Sequence, residues 1–187
     1  MQRMLFFPAE DGIRESVASR GLGYVYKRHN VLTALDVSAN AGLTLLNCTG
    51  NNLAVIDMGA NTALTDLHCA SNQLTSLDVS SNTALTALNV SFNKLTSLDV
   101  SSNTALKTLE LGSTQLTSLD VSRNTALTYL GCGDSQLTSL DVSRNTALTQ
   151  LHCNNNQLTN WNMRDGVKEQ LSNFNAKGNS SLNCIET

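Results

Sequence analysis

From Leu32 to Gln157 the apolar residues fall in one pattern that returns every 21 positions. Copies begin at Leu32, Leu53, Leu74, Leu95, Leu116 and Leu137 and follow one another without insertion. Each copy holds two similar halves, as in LTSLDVSSN (Leu74 to Asn82) and LTALNVSFN (Leu85 to Asn93), with apolar residues at positions 1, 4 and 6. Positions 4 and 6 share one face of an extended chain and position 5 takes the other, as Leu88 and Val90 do around Asn89. The Thr and β-branched content favours strand over helix. Asn at position 9 suits a turn, because its amide can hydrogen-bond nearby backbone. One coil of strand, corner, extended return and second corner cannot bury its apolar side. Six stacked coils can, with strands about 4.8 Å apart in a parallel sheet. A fixed period in this range predicts a solenoid.

The second half with the next leucine reads LTALNVSFNKL (Leu85 to Leu95). It matches the leucine-rich repeat signature LxxLxLxxNxL. The first half has N-T-A-L and fails the N-x-L part, so the sheet is assigned to the second half, around Ala87 to Ser91 and its equivalents. The expected fold class is therefore a mostly β repeat solenoid: a right-handed leucine-rich repeat arc with a parallel sheet on its concave face. A period of 21 leaves no room for a full helix, so the convex side is expected to be extended or a short 3-10 turn.

LTSLDVSRNTALTQLHCNNNQ (Leu137 to Gln157) resembles the short, cysteine-containing leucine-rich repeats of internalin J-like bacterial surface proteins. LTNWNMRDG (Leu158 to Gly166) and LSNFNAKGNSSLNCIE (Leu171 to Glu186) resemble the irregular repeats that close such arrays. The resemblance covers residues 32–187. It implies a binding protein at the bacterial surface or outside the cell, and an array that continues past Thr187.

Residues 1–29 lack the repeat. AEDGIR (Ala9 to Arg14) resembles a reading frame of a sequencing adapter, and SRGLGYVYKR (Ser19 to Arg28) resembles a frame of a library adapter. The expected organisation is a non-native or disordered segment at 1–29, six repeats at 30–157 and an irregular, truncated cap at 158–187. The whole chain carries a net charge of −3. Leaving out the first segment removes five Lys/Arg and three Asp/Glu, so the remainder has seven basic and twelve acidic residues, a net −5. No clustered basic surface points to nucleic acid, and no apolar run reaches the roughly 18 residues of a membrane span.

Stacking turns residues 21 apart into columns. Cys48, Cys69, Val90, Leu111, Cys132 and Cys153 share one, and the exchange with Val and Leu reads as a small buried hydrophobe. Neighbouring cysteines lie within disulfide range, but their parallel Cβ vectors argue against bonding. Cys184 lies outside the ladder. His68 and His152 each precede a cysteine that points to the opposite face. The two histidines sit four coils, or about 19 Å, apart, so no metal and no cofactor is expected. Asp36, Asp57, Asp78, Asp99, Asp120 and Asp141 form an unbroken column, read as corner acceptors rather than a calcium ladder. Two Asn columns read as corner ladders. In the second, Thr114 and Ser135 stand where Asn51, Asn72, Asn93 and Asn156 set the pattern, and a looser corner is expected there.

The outward columns vary. They supply the candidate ligand-binding residues: His68, Asn89, Phe92, Glu110, Tyr129, Asp134, Gln150, His152, Asn154 and Asn155. Tyr129 and Phe92 are the expected anchors, since exposed aromatics dominate contact energy. No nucleophile–base set or phosphate loop appears, so no enzyme is expected. The expected function is non-covalent binding of a protein partner by a monomer. Carbohydrate binding and a purely structural spacer are the alternatives.

Overall fold

The computed structural model describes residues 15–16, 23–26, 31–162 and 170–182, and every structural statement concerns these. Leu45–Asn47 (β4), Asp66–His68 (β5), Ala87–Asn89 (β6), Thr108–Glu110 (β7), Tyr129–Gly131 (β8) and Gln150–His152 (β10) are the strands of the second half-repeats. They pair in parallel with a register step of 21, so that Leu46, Leu67, Leu88, Leu109, Leu130 and Leu151 stack in line. Tyr24–Tyr26 (β2) and Asn173–Asn175 (β12) extend this sheet to eight strands. The protein is a parallel-strand leucine-rich repeat solenoid, with the sheet on the half-repeat that carries the full signature.

The return half is mostly turns and extended chain. It carries two small two-stranded sheets, one of Glu15–Ser16 (β1) with Leu35–Asp36 (β3), the other of Ser139–Asp141 (β9) with Asn160–Asn162 (β11). Among the described residues no helix is long and apolar enough to cross a membrane.

Between the two sides runs one continuous core. Leu43, Leu64, Leu85, Leu106, Leu127 and Leu148 are fully buried, as is the column of Cys48, Cys69, Val90, Leu111, Cys132 and Cys153. The four cysteines in it are free thiols. Burial raises the Cys48 and Cys153 thiols to about 12 and also pushes Cys69 and Cys132 up. Each fully buried leucine contributes about 1.5–3 kcal/mol from removal of apolar surface.

Asparagines tie the coils at both corners. Asn93 donates from Nδ2 to the carbonyls of Cys69 (3.0 Å), Val90 (2.9 Å) and Ser91 (3.3 Å), and its Oδ1 accepts the Leu74 NH at 3.0 Å. Asn103 at the other corner donates to the carbonyls of Val79 (3.0 Å) and Asn82 (2.9 Å). One side chain thus satisfies buried backbone groups of two coils. The aspartate column serves a different turn: Asp78, Asp99, Asp120 and Asp141 each accept the NH of the serine two residues on, at 2.8–2.9 Å.

The described strands extend beyond the six regular repeats at both ends. The sheet starts inside the segment set apart at residues 1–29: Tyr24–Tyr26 pairs with Leu45–Asn47 in the same 21-residue register, with Val25 buried. An extended triplet of two aromatic residues around a buried valine is enough to continue the stack. At the other end the register step lengthens, since Leu151 pairs with Phe174. The reading of Cys184 lies outside the described residues, as does most of the 1–29 segment.

Candidate functional site

The outward residues of the sheet strands are half-buried while the residue between them is fully buried, as alternation requires. Asn89 and Glu110 are register partners on this face, and the Asn89 amide donates to Glu110 Oε2 at 2.9 Å. Tyr129 and Gln150 are also register partners. The Tyr129 ring meets His152 edge-on, with centroids 5.6 Å apart and planes at 79°. Its hydroxyl lies 3.5 Å from His152 Nδ1. Partial burial raises the Tyr129 phenol above its ordinary value, and the nearby Glu110 charge adds to the shift.

The column Gly50, Ser71, Phe92, Ser113, Asp134 and Asn155 does not lie on the strand, as the sequence reading placed it. Each residue sits just beyond the strand end in the left-handed region, with φ between 51° and 73°. Gly, Asn and Asp suit that conformation and a bulky aromatic does not. Phe92 nonetheless holds φ 55° and stays 63% exposed. Asp134 is held by both asparagines of the next coil: Asn155 donates to Oδ1 at 2.7 Å and Asn154 to Oδ2 at 3.4 Å.

These elements enclose a shallow hollow of about 160 Å³. Phe92, Glu110, Tyr129, Asp134, His152 and Asn154 line it. Three further candidates stand behind the lining: Asn89 bonded to Glu110, Asn155 bonded to Asp134, and Gln150 beside Tyr129. His68 does not join them; it is the register partner of Asn89, two strands from Glu110.

Gly112, Gly131 and Gly133 also line the hollow, and the sequence reading gave them no role. A Cβ on Gly131 would sit 3.1 Å from the Tyr129 ring, so the ring lies over bare backbone. A Cβ on Gly133 would come within 2.6 Å of the Asn154 amide, and one on Gly112 within 3.2 Å of the Gly133 carbonyl oxygen. The signal was present as three glycines in adjacent coils, where other coils carry Asn47, His68, Asn89, Thr49, Ala70 or Ser91.

Two larger hollows, of about 310 and 420 Å³, lie on the aspartate side. Their walls are the recurring Ser-Leu-Asp triplet: Ser76, Leu77 and Asp78 in one, Ser118, Leu119 and Asp120 in the other. Both lie along the return half-repeats, the first with Val55, Ile56, Met58 and Gly59 in its wall. The smaller hollow lies on the variable sheet face and gathers six of the sequence-predicted residues, which makes it the candidate site.

No protein-family model matches the chain, and none of the curated proteins does. Among solved structures it is similar to the internalin InlF of Listeria monocytogenes (24% identity, 82% of this chain and 54% of that one, TM-score 0.69). It is also similar to the leucine-rich effector YopM of Yersinia pestis (22% identity, 84% and 44%, TM-score 0.74). The functional domain of InlJ from Listeria monocytogenes, described as including a cysteine ladder, is 31% identical over 89% of this chain and 51% of that one, with a TM-score of 0.44. The chain thus spans about half the length of these proteins. With its 21-residue period and its parallel sheet in 21-residue register, the chain has the leucine-rich repeat solenoid fold that these structures share.

Proposed function

We propose that the solenoid is a non-catalytic binding module that engages a protein partner through its sheet face, centred on the hollow at Tyr129. One observation carries this: on the sheet face, residues that break the repeat gather around that hollow. Phe92 keeps a backbone conformation that costs a bulky L-residue about 1–2 kcal/mol. Gly112, Gly131 and Gly133 remove side chains from three face positions. Thr114 and Ser135 replace the corner asparagine in the two coils that carry Gly112 and Gly133. A repeat scaffold with no task at this spot has no reason to give up stabilising choices there.

A rigid, pre-ordered face with a half-buried tyrosine loses little conformational entropy on association. The likeness to internalins supports a place at or outside a bacterial surface. The test is capture from a complex protein mixture by immobilised wild type, a Tyr129→Ala/Glu110→Gln variant and an Arg144→Ala variant on the opposite side. The expected result is a partner lost with the face variant and kept with the Arg144 variant. A partner kept by the face variant, or one lost only with the Arg144 variant, overturns the reading.

A further inference from the structure

The hollow has an unbalanced chemistry. Glu110 and Asp134 both line it, and neither has a Lys or Arg partner among the described residues. The four outward columns over six coils contain three carboxylates, at Asp66, Glu110 and Asp134, and no Lys or Arg. The arginines of these coils lie on the other side of the solenoid, where Arg123 and Arg144 act on Asp99, Asp120 and Asp141. The floor is glycine backbone, and the Gly112 carbonyl accepts one backbone NH at 2.9 Å and keeps a second lone pair. The Asn154 amide in the lining is turned to Asp134. The Tyr129 ring stands at the side with Glu110 close enough to raise its phenol.

A hollow with two carboxylates that have no cationic partner among the described residues, and with an aromatic wall, complements a guest that brings donors and positive charge. A lysine ammonium offers three donors and an arginine guanidinium five, without acceptors. Either gains from the ring face and from charge-assisted bonds to carboxylates. A neutral sugar brings more acceptor sites than donors and leaves both charges unanswered.

We propose that this hollow receives a lysine or arginine side chain of the protein partner, seated between Glu110 and Asp134 against Tyr129. The proposal rests on the protein-binding reading of the face and names the chemistry that the partner must present there.

The probes are Nα-acetyl-arginine methylamide and its lysine counterpart, titrated into the isotope-labelled full chain and followed by the amide resonances of Gly112, Gly131 and Gly133. Controls are the citrulline counterpart, which keeps the shape and loses the charge, and a neutral methyl glycoside. The expected result is saturable millimolar shifts with the cationic probes only. They weaken at least fivefold when sodium chloride is raised from about 50 to 500 mM, and at least tenfold in Glu110→Gln/Asp134→Asn, whose spectrum otherwise stays native. No shift with the cationic probes, equal shifts with citrulline or the glycoside, or shifts unchanged in the double variant would each overturn the proposal. The capture experiment separates the two failures. A face-dependent partner with no cationic-probe binding removes this inference alone. Loss of face dependence removes the reading beneath it.

Discussion

Thr114 Oγ1 and Ser135 Oγ lie 3.0 Å apart in the corner column that asparagine fills in four of the other coils. Thr114 also donates to the Leu111 carbonyl at 2.9 Å, and Ser135 reaches the Gly133 carbonyl at 3.4 Å. In the asparagine coils Oδ1 accepts a leucine NH from the preceding coil: Leu53 to Asn72, Leu74 to Asn93, Leu137 to Asn156. A hydroxyl is too short to serve both coils, and Thr114 and Ser135 make no such bond to Leu95 and Leu116. Thr114→Asn and Ser135→Asn are each expected to stabilise the fold by about 1–2 kcal/mol, the value of one or two buried hydrogen bonds regained. Urea unfolding with an unchanged slope checks this. Unchanged or lower midpoints would show that the hydroxyl pair already satisfies the corner.

Phe92 gives a second stability prediction in the same region. It is exposed and holds φ 55°, so its removal costs little burial and relieves strain. Phe92→Gly is expected to stabilise by about 1 kcal/mol, and Phe92→Asn by a smaller amount of the same sign. Both variants are expected to weaken partner capture if Phe92 serves the face. A more stable protein with weaker binding would separate Phe92 from the scaffold; a less stable one would show that its ring packs more than its exposure indicates.

Much of this arrangement was legible because each coil repeats the same physical constraint. Leu88 and Val90 had to be buried once the sheet was assigned to the second half-repeat, and Asn89 then had to face out. The hollow was only half legible. Tyr129, Glu110 and His152 stand out as polar or aromatic departures in variable columns, but a floor of glycines is an absence, and columns were read for what they contain. Phe92, Asp134 and Asn155 lie three residues past the strand ends, and period-2 alternation carries no mark of where extension stops. Gly, Asp and Asn in that column were such a mark, since those residues tolerate φ > 0. The strand at Tyr24–Tyr26 falls inside SRGLGYVYKR, the stretch that resembles a library adapter, and its Tyr-Val-Tyr itself holds neither leucine nor asparagine.

The cysteine column allows a kinetic test. Cys48, Cys69, Cys132 and Cys153 are free and buried, and burial disfavours the thiolate that would react. Under native conditions at pH 8 a thiol-specific reagent is expected to label none of the four on the timescale of a small exposed thiol, and all four after unfolding. The sign with pH follows from the raised values. The unfolded chain ionises near 9.0 while folded Cys48 and Cys153 hold their protons to about 12. Their contribution to stability is therefore full below pH 9 and is lost as the pH rises towards 12. Fast native labelling at pH 8 would mean that the coils open locally at this column.

The aspartate column predicts the opposite limb. Hydrogen bonds from Ser80 hold Asp78 below its ordinary 3.8, those from Ser101 do so for Asp99, and those from Ser122 and Ser143 for Asp120 and Asp141. Arg123 and Arg144 add smaller shifts in the same direction. A depressed folded value means that the carboxylate stabilises the fold above the unfolded pKa. That contribution is lost as the pH falls through 3.8 and below. The melting temperature is expected to be flat between about pH 5 and 8 and to drop progressively under pH 4. Asn keeps a side-chain oxygen for the serine NH but no charge, so the quadruple variant Asp78→Asn/Asp99→Asn/Asp120→Asn/Asp141→Asn is expected to start lower at pH 7 and to show a flatter acid limb. An acid limb as steep as in the wild type would show that these four carboxylates do not carry the acid sensitivity.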